Sequence, residues 1–213
     1  MNIDTSRERN GIIYVALAEA TAGVREQGDN AGARVQEYQR AGGVGKGASW
    51  CAAFITWALV KGLDLPARPA WCMGSASGMW SNALIKLTAA RGFSDYIAVP
   101  GQENKIKPGW LWARAQDAET AASTRRRGGY GKGHIGIVVT PRAPTPAEFM
   151  TVEGNTNAAG SRDGDGVYRK VQKFNDPRII GYFDPVALTM SYLDDAQLQA
   201  FIQRMNSDGS RTA

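Results

Sequence analysis

The sequence predicts an α+β fold, with N-terminal helices packed on an antiparallel sheet of about five to six strands. Up to about residue 89, apolar residues recur at helical spacing, and the segments between them are rich in glycine. Beyond that point, short apolar segments of strand character alternate with glycine, proline and Asx clusters. A chain of 213 residues is long enough to bury one large core around these elements.

Four helices are predicted in the first part of the chain. In the first of them, Ile13, Ala16, Leu17, Ala20 and Val24 fall on one face at helical spacing. Glycine-rich loops end this helix and lead into the later ones. The predicted ranges are Ser6 to Glu26, Ala33 to Ala41, a helix with Cys51 in its first turn that ends near Lys61, and Ser75 to Ala89.

The second part of the chain is predicted to supply the sheet. The strand ranges are Asp95 to Val99, Gly109 to Ala113, Ile135 to Thr140, Glu148 to Glu153, Val167 to Gln172 and Ile179 to Phe183. A last amphipathic helix, Asp194 to Met205, precedes a polar tail that we expect to be frayed. We therefore expect one catalytic domain over residues 1–190, followed by a C-terminal helix and tail over residues 191–213.

One biased segment, Gln116 to Lys132, contains Arg125, Arg126 and Arg127 followed by glycines. We predict an exposed, mobile basic loop there. Two interpretations stay open. Either the charges serve solubility alone, or the loop forms a lip that meets an anionic substrate beside His134.

The composition bounds the function. The 25 Lys and Arg residues against 20 Asp and Glu give a net charge of +5, which favours nucleic acid, anionic lipid or an anionic cell-wall polymer as surroundings. No apolar segment reaches the roughly 18 residues of a membrane span, so we expect no stable membrane insertion. The single histidine, His134, excludes a zinc site with several histidine ligands. We predict no metal ion and no cofactor.

Cys51 is the first candidate for covalent chemistry. It follows a Gly/Ser turn and opens an apolar helix, with Ser49 as the predicted N-cap. The unpaired N–H groups and the dipole at a helix start favour a thiolate, the nucleophilic form of cysteine. The alternative is that Cys51 is a small buried hydrophobic residue beside Trp50 and Phe54. Cys72 also precedes a predicted helix and is the rival nucleophile.

His134 is the second candidate, at the start of an apolar strand and flanked by glycines. On the next strand, Glu153 and Asn155 are two residues apart, so we expect them on one face while Val152 points to the core. Such a polar pair can hold a catalytic imidazole in one tautomer. The alternatives are a structural histidine and an Asx/Gly turn at the strand end.

The segments WCAAFITW around Cys51, GHIGIVV around His134, and VEGNT together resemble the CHAP family of cysteine peptidases and amidases, in the NlpC-like branch of the papain-like superfamily. The resemblance covers about Ala16 to Pro185. It implies a papain-like core and hydrolysis of amide bonds in peptidoglycan. It also implies that Cys51 is the nucleophile, that His134 is the general base, and that Glu153 and Asn155 orient the imidazole. Which of Glu153 and Asn155 bonds directly to the ring stays open.

The resemblance makes a peptidoglycan amidase or endopeptidase the leading hypothesis. The apolar segment Gly11 to Ala18 follows acidic residues and continues as a helix, so we predict no signal peptide. We expect synthesis in the bacterial cytoplasm, action on the cell wall or in the periplasm, and a monomer that binds no nucleic acid. A phage lysin fits this pattern, and an exported antibacterial amidase is the nearest variant.

Two other classes stay open. A non-catalytic basic module that binds nucleic acid or the cell wall would leave Cys51, His134, Glu153 and Asn155 without a role. A papain-like peptidase that cleaves proteins would use the same residues on another substrate.

Overall fold

The computed structural model describes residues 4–89, 93–157 and 164–207. In these residues the chain forms seven α-helices and a six-stranded sheet, which confirms the predicted α+β class. The helices are α1 (Ser6–Thr21), α2 (Ala33–Gly42), α3 (Cys51–Gly62), α4 (Ala76–Ala89), α5 (Ala118–Arg127), α6 (Pro185–Met190) and α7 (Asp195–Ser207). Two single turns of 3₁₀ helix, Ser94–Tyr96 and Glu103–Lys105, flank the first strand.

The sheet is antiparallel throughout and has the strand order β1-β6-β2-β3-β4-β5. Its strands are β1 (Ile97–Ala98), β2 (Leu111–Ala115), β3 (Gly133–Pro141), β4 (Glu148–Thr156), β5 (Gly166–Lys173) and β6 (Ile179–Phe183). Strands β3 and β4, which carry the predicted site residues, lie side by side near the middle of the sheet.

Each face of the sheet is covered by a different hydrophobic cluster. Ile135, Ile137 and Val152 join the large core that includes α1, α3 and α4, as the alternation of side chains predicted for Val152. The opposite face carries an aromatic cluster built around Trp112 and Phe149. Because strand residues alternate between the faces, His134 and Glu153 lie on the aromatic side of the sheet.

The prediction of a basic loop is wrong for most of this segment, because residues Ala118–Arg127 form α5. Asp117 caps this helix by accepting the N–H of Thr120 at 2.8 Å, and alanines fill its interior. Arg125 donates to the carbonyl oxygens of Ile179 and Ile180 on β6, so one of the three arginines is tied to the sheet. Of the predicted loop, Gln116, Asp117 and the glycine-rich segment after α5 lie outside the helix.

The helices differ from their predicted ranges in two smaller respects. Helix α1 ends at Thr21 instead of Glu26, because Gly23 adopts a positive φ of 66° and turns the chain. Helix α6 was not predicted; Asp184 caps it, and Pro185 occupies its first turn. Helix α7 lies close to its predicted range, and residues 208–213 of the predicted tail lie outside the described residues.

Within the described ranges, no helix is both long and apolar enough to cross a membrane.

Gly154 on β4 packs closely against Trp50 and Phe54 at the start of α3. A Cβ atom there would lie 2.7 Å from the rings of Phe54 and Trp50. We expect Gly154→Ala to lower the free energy of unfolding by about 1–3 kcal/mol, the usual cost of overpacking a filled core.

Urea denaturation measures this change. Gly45→Ala is the matched control, because a Cβ atom at Gly45 would meet open space, and we expect a change within about 0.5 kcal/mol. Equal unfolding midpoints for the two variants would contradict the contact assigned to Gly154.

Candidate active site

Cys51 is the first residue of α3 and is 8% exposed. The residue before it, Trp50, occupies the N-cap position and makes no side-chain cap of its own, so the predicted capping role of Ser49 is wrong. The Trp50 N–H instead donates to Oδ1 of Asn155 on β4, at 2.9 Å. A distant side chain therefore fixes the backbone on which Cys51 is placed.

His134 is the second residue of β3 and is 1% exposed. Its Nε2 atom lies 2.9 Å from Oε2 of Glu153, so the two buried side chains are hydrogen-bonded. The ring also packs edge-to-face on Trp112, with 6.1 Å between centroids. These two contacts on different sides hold the imidazole in one orientation.

The second ring nitrogen, Nδ1, is buried, and no partner in the described part of the chain meets hydrogen-bond geometry with it. Since Nε2 is engaged by Glu153, Nδ1 is the nitrogen left for the Cys51 thiol, which lies close enough for each group to shift the pKa of the other. The order thiol, imidazole, carboxylate is the arrangement in which a base activates a nucleophile and a third group orients the base.

Glu153 is 1% exposed, and each of its oxygens accepts a hydrogen bond. Oε2 faces His134, while Oε1 accepts from the Thr151 hydroxyl and from the Gln172 amide at 2.7 Å. Gly136 makes room for the carboxylate, because a Cβ atom at Gly136 would lie 2.6 Å from Glu153 Cγ. A buried carboxylate with all these partners is stable as an anion.

The electrostatics favour an ion pair between Cys51 and His134. Burial alone would raise the pKa of the Cys51 thiol, but His134 and the backbone N–H groups of Ala52 and Ile135 bring it below its ordinary value. Burial alone would lower the pKa of His134, but Cys51 and Glu153 raise it to about 9. For Glu153, burial is outweighed by His134, so the pKa of the carboxyl is lowered.

Of the two candidates for the direct bond to the ring, Glu153 makes it, and the hydrogen bonds of the Asn155 amide in the described residues go elsewhere. A register shift between Glu153 and Thr156, together with a φ of 55° at Asn155, breaks the two-residue alternation and turns this side chain away. Besides accepting from Trp50, the Asn155 amide donates to Glu26 and Asn30 in the loop after α1. Asn155 therefore supports the start of α3.

Cys72, the rival nucleophile, has the opposite environment. Burial raises the pKa of its thiol to about 12, and the Thr56 hydroxyl on α3 offsets this only in part. A thiol with this pKa stays protonated at neutral pH and is a poor nucleophile. Of the two cysteines, only Cys51 is paired with the histidine.

Cys51 opens onto a cleft of about 260 Å³. The nine residues that line the cleft are Ser49, Cys51, Gly74, Ser75, Ala76, Gly131, Lys132, Gly133 and Asn155. The lining comes from the start of α3, the segment that leads into α4, the segment that leads into β3, and the end of β4. Cavities of about 110 and 520 Å³ elsewhere on the surface are not lined by Cys51, His134 or Glu153.

Three supporting residues were missed by sequence reasoning. The sequence pattern could have predicted the contact of Thr151, because it lies two residues before Glu153 and so shares its face of the strand. No sequence pattern could have predicted the roles of Gln172 and Glu26. Their contacts depend on the pairing of β4 with β5 and on the path of the loop after α1, neither of which is a local property of the sequence.

Among the described residues, no three His, Cys, Asp or Glu side chains form a group that could hold a metal ion.

No model of a known protein family, no curated protein and no solved structure matches this chain. The resemblance to the CHAP family therefore stays a prediction from the motifs. The function has to be inferred from the site and from these motifs together.

The coupling of Cys51 to His134 predicts a distinctive pH profile for thiol alkylation. In the natural chain we expect the rate at Cys51 to reach its midpoint below the ordinary thiol pKa of about 8.5. In His134→Gln we expect the midpoint above that value, because burial remains while the stabilising imidazolium is lost. Iodoacetamide labelling followed by peptide mass spectrometry measures both cysteines in one sample. Cys72 is the internal control, and equal labelling of Cys51 and Cys72 at neutral pH would refute the pairing.

We expect substitutions of Glu153 and Asn155 to have different effects on the pH profile of Cys51 alkylation. Glu153→Gln removes the negative charge beside His134, so the imidazolium and the thiolate both lose stability and the Cys51 midpoint moves up. Asn155→Ala leaves the charges near the ring unchanged but leaves the Trp50 N–H without its acceptor. We expect Asn155→Ala to lower unfolding stability by about 1–3 kcal/mol without moving the midpoint. The assignment fails if Asn155→Ala moves the midpoint as far as Glu153→Gln does.

Proposed function

We propose that this protein is a cysteine-dependent hydrolase that cleaves an amide bond of peptidoglycan. One observation carries the proposal: Cys51 at the start of α3 is coupled to His134, which is hydrogen-bonded to Glu153, and the cysteine opens onto a cleft. Each group is in the state that nucleophilic catalysis requires. The thiol pKa is lowered, the imidazole pKa is raised, and the carboxylate stays ionised.

In the first half of the reaction, the Cys51 thiol proton resides on His134, which gives a thiolate and an imidazolium. The thiolate attacks the amide carbonyl carbon and forms a tetrahedral oxyanion. His134 then donates its proton to the leaving nitrogen, the C–N bond breaks, and an amine and a thioester on Cys51 result. Glu153 stabilises the imidazolium throughout and keeps its own charge.

The oxyanion needs donors that are already in place. The Cys51 N–H belongs to the first turn of α3, where backbone N–H groups have no acceptor inside the helix. The preceding N–H, that of Trp50, is committed to Asn155 and is not available. We therefore assign the Cys51 N–H as an oxyanion donor.

In the second half, neutral His134 removes a proton from water, and the oxygen attacks the thioester carbonyl. The C–S bond breaks, the carboxylic acid leaves, and the thiolate–imidazolium pair is restored. No external oxidant, reductant or metal ion is needed for this cycle.

Peptidoglycan is the proposed substrate for two reasons. The motifs around Cys51 and His134 resemble those of the CHAP family, and the net charge of +5 favours an anionic wall polymer. A nucleic-acid module is supported less well, because part of its basic segment is helix α5 and Arg125 is bonded to β6.

The experiment is hydrolysis of purified peptidoglycan by the natural chain, Cys51→Ala and Cys72→Ala. We expect Cys51→Ala to lose at least about 1,000-fold in rate, because the nucleophile and its base act as a unit. We expect Cys72→Ala to stay within roughly twofold, since that thiol lies outside the cleft.

The products identify the bond. New amino termini on alanine indicate an N-acetylmuramoyl-L-alanine amidase, and other termini indicate an endopeptidase. Cleavage of casein while the sacculi remain intact would indicate that the substrate is a protein and not the cell wall. A natural chain as inert as Cys51→Ala on walls of several chemotypes would refute the hydrolase proposal.

A further inference from the structure

The cleft beside Cys51 has an electrostatic character that the hydrolase proposal does not use. We propose that Lys132 binds a free carboxylate of the substrate, so that the preferred substrate is a peptide amide with an unamidated carboxyl group next to the cleaved bond. This inference rests on the proposed function and adds to it the chemical class of the group that is recognised.

The lining of the cleft supports recognition of an anion. Of its nine residues, Lys132 is the charged one apart from the Cys51 thiolate, and none is acidic. Within the part of the chain that the structure describes, no carboxylate forms an ion pair with Lys132. The lysine is exposed at the wall of the same cleft into which Cys51 opens.

The loop that carries Lys132 is held in place by serines of α4. The Ser77 hydroxyl lies 2.9 Å from the carbonyl oxygen of Gly131 and 2.8 Å from its N–H. The Ser81 hydroxyl makes the equivalent pair of contacts with Gly129, at 2.9 and 2.7 Å. The backbone beside Lys132 is therefore part of a built wall, two residues before His134.

The starts of two helices contribute to the same potential. Helix α3 begins at Cys51 and α4 begins at Ala76, and both residues line the cleft. Two helix starts directed at one cleft add positive potential to the charge of Lys132. A substrate carboxylate is stabilised there, whereas a substrate cation is repelled.

The size of the cleft fits only the part of a substrate next to the cleaved bond. At about 260 Å³ it lies just below the range of about 300–1,000 Å³ that drug-sized ligands occupy. A stem peptide offers a carboxylate at its C-terminus or on a side chain. Conversion of that group to a carboxamide keeps its planar shape, removes its charge and replaces one acceptor oxygen by an NH2 donor. A preference for the free acid that depends on Lys132 therefore reports on recognition of the carboxylate.

The test uses soluble muropeptides from one preparation, either left untreated or amidated with ammonium and a carbodiimide. Binding to Cys51→Ala is measured by calorimetry, so that affinity is read without hydrolysis. We expect the free acids to bind about 10- to 100-fold more tightly, the usual value of a hydrogen bond to a charged group. Adding Lys132→Met should abolish this preference, and Lys132→Arg should retain it.

Lys61→Met is the matched control, because it removes the same charge at the opposite end of α3. Equal affinity for the two muropeptide forms, or a preference that survives Lys132→Met, would overturn the inference. An equal loss in Lys61→Met and Lys132→Met would also overturn it, because net charge would then be the cause.

Hydrolysis by the natural chain is followed in parallel on the same muropeptides. Cleavage of both forms at one rate, with equal affinities, leaves the hydrolase proposal standing and removes the role of Lys132. A Lys132-dependent preference in binding without any cleavage supports the carboxylate site and removes the hydrolase proposal.

Discussion

The hydrogen bond between His134 and Glu153 is the interaction on which the candidate site depends. An isolated carboxylate at 1% exposure would be costly, and pairing with the imidazole offsets that cost only if the remaining oxygen is also satisfied. Thr151 and Gln172 meet this requirement. The same bond commits Nε2 and so leaves Nδ1 for the thiol. A structural need for a buried charge pair and a chemical need for an oriented base are met by one contact.

The position of this pair in the sheet explains how Cys51 reaches it. Cys51 comes from the helical side, whereas His134 and Glu153 alternate with core residues and lie on the side of Trp112. The two sides meet at the start of β3, where the N–H of Ile135 helps to stabilise the sulfur anion. The site is thus formed at an end of the central strands, where a helix start can contact the backbone of the sheet.

The start of α3 depends on tertiary contacts more than on a local cap. Glu26 accepts from the indole N–H of Trp50 at 2.5 Å and from the Asn155 amide, and Asn155 in turn accepts from the Trp50 N–H. The loop after α1, the cysteine helix and strand β4 therefore share one polar network. Loss of any member leaves a buried polar group unsatisfied, which is costly in a low-dielectric interior.

The sequence by itself determined the α+β class, most of the helix and strand positions, and the candidates Cys51, His134 and Glu153. These follow from periodicity and from residue chemistry, which are local properties. The sequence pattern wrongly predicted a loop in the region of α5, which Asp117 caps. The run of arginines and glycines is typical of a loop, and it obscured the short helix that the alanines favour. Only the tertiary structure decided that Asn155 turns away from the ring, because the bulge after Glu153 breaks the alternation on which the prediction depended. Only the tertiary structure also showed that Glu26 contacts Trp50, that Gln172 contacts Glu153, and that Lys132 lines the cleft. Contacts between residues far apart in the chain follow from strand register and packing.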